Sequence, residues 1–583
     1  MAEHVPYRIL AHNPLESDPS ADQLFRTAPS SLLLSGFGDI FREQYQFATS
    51  AFSAAKRRAS VTALPPNVAR STHDMTEAAE KIGVVAGNKH AHADSVYFMT
   101  LLSTKADAFL SHTWMDSAFL KYLALCYTLN LQHAVIAGWI AWFVIILGLL
   151  ATHDWDVTSM GGLSSMKHLF LLGPAGVFFL AFFFAHTIIG NDKQWWLDKM
   201  CIHQTRDKWK LAAVHALPDF VATSDNLIML WSEVYFSRLW CCCELATFLA
   251  THSAADIIVQ PLWLAPWVLS TIGTDVFCGY FVAYLLETTF PWFTETYGTW
   301  GPVPALAFTF GVGYAPSLVP NLIAFRAKAR AHKHLLAQLH GFSLANCKCT
   351  VESDRAHVES HITKLYISHD KPIRAFEATV REDFLKVVVD SIGAGSSMPL
   401  SLALLPFLPL FWSSMFDIFA CDGGPCAEIA PLEGFAKPWE LVAGIAVAWF
   451  FCMVMCFPSI YPFIFWGLGY TEEFSNLWKR NVGGAFVIVS TFTIAGGVVG
   501  IGSTMGYAMI ATHGDPVWTG SYFLMSALCT FGNYVVFCGL PSGRTTSRPQ
   551  SGKPVSTLDE GTHDVKRSEY FTEPVADLRV TLH

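Results

Sequence analysis

The sequence predicts an α-helical multipass membrane protein that carries an α/β domain on its cytoplasmic face. Three observations carry that prediction. Hydrophobic residues make up 52% of the 583 and charged residues only 15%, against about 25% charged in an average soluble domain. Eight stretches are apolar over the roughly 20 residues that a bilayer crossing takes. Between them lie three polar segments, 96–132, 190–261 and 326–397, in which short apolar runs alternate with helical patterns. The net charge of −9 comes with no block of like charge, so nothing points to nucleic-acid binding.

The expected spans lie near 133–152, 169–189, 262–286, 302–325, 398–418, 440–466, 482–511 and 520–540, giving about eight transmembrane helices. The start, "MAEHVPYRILAHNPLESDPSADQ", lacks the apolar core of a signal peptide, so internal spans are expected to drive insertion. Basic residues orient the chain. "RAKARAHKH" follows the fourth span, Lys479 and Arg480 follow the sixth, and Arg544, Arg548 and Lys553 lie in the tail. The opposite loops hold only Lys167 and Lys437. Both termini and the polar segments are therefore expected in the cytoplasm. Spans five to eight carry almost no ionisable residue in their apolar stretches, which favours a packed bundle in contact with lipid over a proton-coupled carrier. Gly, Ser and Thr in the seventh suit close helix packing.

The first 95 residues, rich in Ala, Ser and Pro, read as a largely disordered cytoplasmic region, and so does the tail 541–583. "KRRASV" makes Ser60 a candidate phosphosite of the basophilic-kinase pattern. Two hairpins, 133–189 and 262–325, each leave the cytoplasm and return, and the stretch 398–540 supplies four further spans. An even number of crossings keeps the three polar segments on one side, where together they make a domain of ordinary size. "ADAFLSHTW", "QWWLDKMCIHQ", "NLIMLW" and "DIIVQPLW" read as short strands ending in polar turns, and "LWCCCELATFL" as a helix. Strands alternating with helices predict one parallel sheet covered on both faces.

Those blocks resemble a known family. "DAFLSHTW" is similar to the first strand and loop of TIR domains, and "VYFSRLWCCCELATFL" to their strand–loop–helix stretch with Trp-Cys followed by Glu-Leu. "WWLDKMCIHQ" resembles the Trp-x-Asp-x-x-Cys-Ile-x-Gln signature of heterokaryon-incompatibility domains, although His203 stands where Asp is usual. "DRAHVESHI" and "FEATVREDF" look like the closing helices of similar algal and protist proteins. The resemblance implies a flavodoxin-like α/β domain split by two transmembrane hairpins. It also implies signalling, self-association through that domain and, in many TIR domains, cleavage of NAD at its glycosidic bond to nicotinamide. Carried over, the catalytic carboxylate is Glu244. Ser111, His112 and Trp114 after the first strand, with Asp198, Tyr235, Arg238 and Trp240, are the ligand-binding candidates. NAD would be a substrate, and neither a cofactor nor a metal is called for.

Each candidate has a plainer reading. Trp114 packs, Asp198 pairs with Lys199, Arg238 fixes its own loop, and Glu244 sits on a surface helix. Cys241, Cys242 and Cys243 are consecutive, so on a helix they point about 100° apart and cannot ligate one ion. Burial as small hydrophobes explains them. Cys421 and Cys426, in "CDGGPC" on the non-cytoplasmic side, are candidates for a disulfide. Two other functions stay open: a non-catalytic TIR-like adaptor, and a transporter or channel with a regulatory cytoplasmic domain.

Overall fold

The computed structural model describes residues 21–41, 96–152, 163–189, 193–349, 352–393, 398–419, 430–431 and 434–538. The chain divides after Phe537, and the described residues up to that point form one unit. Ser60, Cys421 and Cys426, and the tail 541–583, lie outside the described residues.

Six strands form one sheet: β1 Arg26–Pro29, β2 Leu101–Leu102, β3 Ala108–Ser111, β4 Gln194–Trp196, β5 Leu227–Trp231 and β6 Ile257–Pro261, in the order β2-β1-β4-β3-β5-β6. The four strands from β3 to β6 are mutually parallel, with Ala108 opposite Trp195, Phe109 opposite Leu227, and Leu227 opposite Ile257. All four residues of β3 and all five of β5 are buried. An unbroken apolar run is what a parallel strand covered on both faces requires. Phe109 stacks on Trp196 with ring centroids 4.5 Å apart and an interplanar angle of 9°.

Two expectations need correction. The first concerns the N-terminal region, which was read as largely disordered. Within it, β1 pairs antiparallel to β4, with Ala28 opposite Trp195. Ala28, Leu33, Leu34, Ile40 and Phe41 are buried in the common core. The physical reason is edge satisfaction: without β1, β4 would leave a row of backbone donors and acceptors unpaired. The second concerns the third polar segment, whose described residues supply no strand of the sheet. A single parallel bridge joins Arg238 to Lys348, and the rest of that segment covers the sheet domain as helices.

Helices fill the remainder: α1 Ala118–Thr152, α2 Leu163–Ile188, α3 Leu239–Thr251, α4 Leu264–Tyr297, α5 Pro302–Gly313, α6 Leu318–His340, α7 Glu352–Leu365, α8 Phe457–Thr471, α9 Leu477–Ala511 and α10 Pro516–Cys538. α1 begins seven residues after β3 and runs unbroken for 35 residues, about 52 Å at 1.5 Å per residue. It is therefore both a helix of the α/β domain and the first apolar crossing. Among the described residues, six helical stretches are long and apolar enough to cross a membrane: 118–148, 169–188, 264–286, 302–340, 438–471 and 477–511. The protein is a helical membrane protein on that ground.

The fifth expected span is broken into Leu400–Leu404, a turn Leu405–Phe407 and Leu408–Phe419. Pro406 and Pro409 remove backbone donors there and crowd the preceding turn. The eighth forms α10, which carries Thr519, Ser521, Ser526, Thr530 and Asn533 and is not among the six. Asn533 ties α10 to the start of α8 and the turn before it, accepting from the Ser459 hydroxyl and donating to the Met455 carbonyl at 3.0 Å. The glycines of α9 let backbones approach: a Cβ added at Gly500 would lie 2.6 Å from the Cα of Val303.

Leu33→Ala tests the N-terminal correction. Leu33 is wholly buried, so truncation is expected to cost about 2–5 kcal/mol and to lower the thermal unfolding midpoint of the full chain. A residue in a solvated tail would shift stability by no more than about 0.5 kcal/mol.

Candidate functional site

The site is built where β3 and β5 end. β3 runs first to β4 on one side, and the chain then returns to β5 on the other, so the strand order reverses around β3. In open α/β sheets, ligands sit beyond the carboxyl ends of the strands at such a reversal. Ser111 is the last residue of β3. Its hydroxyl donates to Glu244 Oε2 at 2.5 Å and lies 2.6 Å from the Tyr235 hydroxyl. Tyr235 comes from the turn Tyr235–Ser237 after β5, and Glu244 from the second turn of α3. Three groups separated by 124 and 133 positions of sequence thus meet at one point.

Their electrostatics follow from burial. Ser111 and Tyr235 are buried and Glu244 is half-buried. Desolvation pushes the Glu244 carboxyl up to about 8; the Ser111 hydrogen bond opposes the rise and the nearby Asp198 charge adds to it. The Tyr235 phenol is driven well above its usual range, chiefly by burial. A carboxyl poised near neutrality beside two hydroxyls, at the ligand-facing edge of a sheet, is the arrangement that acid–base and charge-stabilising sites share.

A second group of side chains lies beside it. The Trp114 indole donates to Asp198 Oδ2 at 2.7 Å, and Asp198 Oδ1 accepts the backbone N–H of Lys199 at 2.7 Å. The Asp198 carboxyl is raised by desolvation against those two bonds. The ammonium of Lys199 lies 5.2 Å from the Trp114 ring centre and that of Lys121 lies 5.4 Å from it, within cation–π reach. His112 packs edge-on against Trp114 and Phe41, with centroids 4.6 and 5.6 Å away. Burial, reinforced by the Lys121 charge, lowers its imidazole well below the ordinary value, so it is neutral.

The other sequence candidates go elsewhere. Trp240 donates to Asp354 Oδ2 of α7 at 3.1 Å, so it fastens the third polar segment to α3. Arg238 forms the backbone bridge to Lys348, and the neighbouring Leu239 N–H donates to the Lys348 carbonyl at 3.1 Å. The three cysteines face three ways. The Cys241 thiol donates to the His112 carbonyl, Cys242 Sγ lies 3.5 Å from Cys347 Sγ, and the Cys243 thiol lies beside the Thr247 side chain. All three are buried. Sequence reasoning missed Lys121, Phe41 and the Cys242–Cys347 contact. Lys121 had a signal available, since it is a lone cation at the start of a long apolar helix. Nothing local marks the other two.

Searches of protein-family models, curated proteins and solved structures returned no match to this chain.

Burial raises the thiols of Cys241 and Cys243 far from reactivity, Cys243 to about 12, and thiolate is the form that alkylates. Maleimide treatment of the native protein is therefore expected to leave Cys241, Cys242 and Cys243 unmodified, while denaturation exposes all three, as peptide mass spectrometry would read. Rapid native labelling of any of them would contradict the buried arrangement.

Proposed function

We propose that the chain is a membrane-anchored, TIR-like signalling protein whose α/β domain faces the cytoplasm, associates with further copies of itself, and hydrolyses NAD at the nicotinamide glycosidic bond. The observation that carries the reading is the meeting of Glu244 with Ser111 and Tyr235 at the carboxyl ends of β3 and β5. In this reaction the bond between the anomeric carbon and the nicotinamide nitrogen breaks. Its electron pair neutralises the pyridinium, and water adds to the anomeric carbon and releases a proton. Positive charge develops on the ribose as the bond stretches, and a carboxylate held beside it lowers the barrier.

The proton balance of Glu244 sets the pH dependence. The working form is the ionised carboxylate, and the free site holds its proton up to about pH 8. Bound NAD brings a positively charged nicotinamide, and an adjacent cation favours ionisation. Hence kcat/KM, which reports the free protein, is expected to rise with pH and level off above about 8. Below that it falls about tenfold per pH unit.

The test is NAD turnover by the purified full chain. Glu244→Gln keeps shape and removes the charge, and is expected to lower kcat by about 100-fold or more. Asp198→Asn removes a neighbouring negative charge, so it is expected to move the rising limb of the profile to lower pH. Intact NAD after long incubation with folded, self-associated protein would retire the enzyme reading and leave the adaptor.

A further inference from the structure

α4 carries one acidic side chain, Asp275, in the middle of its apolar stretch 264–286. Asp275 is wholly buried. The Tyr461 hydroxyl, from α8, donates to its Oδ2 at 2.8 Å, while Oδ1 has no hydrogen-bond partner among the described residues. The hydroxyl of Tyr314, in the turn between α5 and α6, is also buried and also lacks a hydrogen-bond partner there, yet it is near enough to act on the same carboxyl. A further titratable neighbour is Cys278, one turn further along α4. Among the described residues no lysine, arginine or histidine forms an ion pair with Asp275.

An ionised carboxylate in that setting would be an unpaired charge among Trp267, Phe325 and Phe407, which pack around Tyr461; the buried Lys328 ammonium of α6 lies on the Trp267 and Phe465 rings, 4.1 and 4.0 Å from their centres, and forms no ion pair with Asp275. Apolar surroundings cannot repay the lost hydration of such a charge, and a group so placed takes up a neutralising ligand instead. The smallest ligand is a proton. As a neutral acid, Asp275 gains a donor O–H, and the Tyr314 oxygen is an acceptor still in need of one. Acidic residues inside membrane helices mark ion and proton sites far more often than they mark packing.

We propose that Asp275, with Tyr461 and Tyr314, is a proton-binding site within the membrane bundle. The acid O–H faces Tyr314 and the carbonyl oxygen accepts from Tyr461. Loss of the proton leaves a charge that α4, α8 and the α5–α6 turn accommodate only by moving apart. The site occupies the junction of α4 with the α5–α6 turn and α8. α4 starts three residues after β6, and α6 leads out of the bundle into the segment that covers α3. The site therefore stands on α4, which continues directly from the sheet, and beside the start of α6, which leads back to the sheet domain.

The test uses the full chain in lipid nanodiscs. A hydrophobic carbodiimide, which reacts with protonated carboxyls in apolar surroundings, is expected to modify Asp275 at near-neutral pH, and the modification should fade at strongly alkaline pH. Infrared difference spectra should show a carboxylic-acid carbonyl band that is lost in Asp275→Asn and retained in Glu244→Gln. Tyr461→Phe, which keeps the acid, should shift that band by removing a hydrogen bond, and so gives a readout if Asp275→Asn folds poorly. Absence of both the label and the band would overturn the proposal. Protection of Asp275 by sodium at constant pH would also overturn it, because the ligand would then be a metal cation.

Discussion

Parallel pairing of β3 with β4 across a helical hairpin is the constraint on which the remaining architecture rests. Ala108 lies opposite Trp195 although α1 and α2 separate them in the chain. Backbone polar groups cannot be left open in hydrocarbon, so an excursion into lipid must be made as complete helices. A parallel connection needs a crossover, ordinarily one helix laid over the sheet. Here the crossover begins as such a helix, since α1 follows β3 at the usual distance, but it continues past the sheet into an apolar stretch and returns as α2. The second excursion is built alike. β6 passes through Leu262 and Trp263 into α4, and α6 brings the chain back to lay Lys348 and α7 against α3. Each insertion is closed on itself, so the sheet keeps the order of an uninterrupted α/β domain.

That arrangement places charge where it can be controlled. The carboxyl ends of β3 and β5 are covered by α3 and by the N-terminal residues around Phe41, so Glu244 and Asp198 are partly or wholly withdrawn from water. Their proximity makes each disfavour ionisation of the other, and the Ser111 and Trp114 donors hold back the shift. Lys121 and Lys199 compensate through the face of Trp114 as well as through the carboxylates. The outcome at Glu244 is a carboxyl near neutrality whose charge a cationic ligand can switch on. A fully solvated glutamate would already be charged and would gain little from such a ligand.

Much of this was legible in the sequence, and the failures have physical causes. "NLIMLW" and "ADAFLSH" announce buried parallel strands because both faces must be apolar. Glu244 stood out through the resemblance of "VYFSRLWCCCELATFL" to the TIR strand–loop–helix stretch. β1 was not legible: "RTAP" has neither alternation nor β-branched richness, and it is a strand because β4 needs a neighbour. The fifth apolar stretch looked continuous by composition, yet Pro406 and Pro409 act through hydrogen bonding, which hydropathy does not measure. The contact of Trp240 with Asp354 joins positions 114 apart, beyond any local pattern.

Asp275 shows the same limit from the other side. One acid in an apolar stretch barely lowers its mean hydropathy, so averaging hides the residue for which that stretch is most unusual. What gives it meaning is the pair of tyrosines that reach it from elsewhere in the chain. The carboxyls of Glu244 and Asp275 are built alike, each with a tyrosine hydroxyl nearby and a second hydroxyl within reach: Ser111 and Tyr235 at Glu244, Tyr461 and Tyr314 at Asp275. They differ in access. Glu244 is half-buried at the carboxyl ends of β3 and β5, where a ligand can supply the compensating charge. Asp275 is sealed inside a bundle, where the ligand that balances it must be as small as a proton.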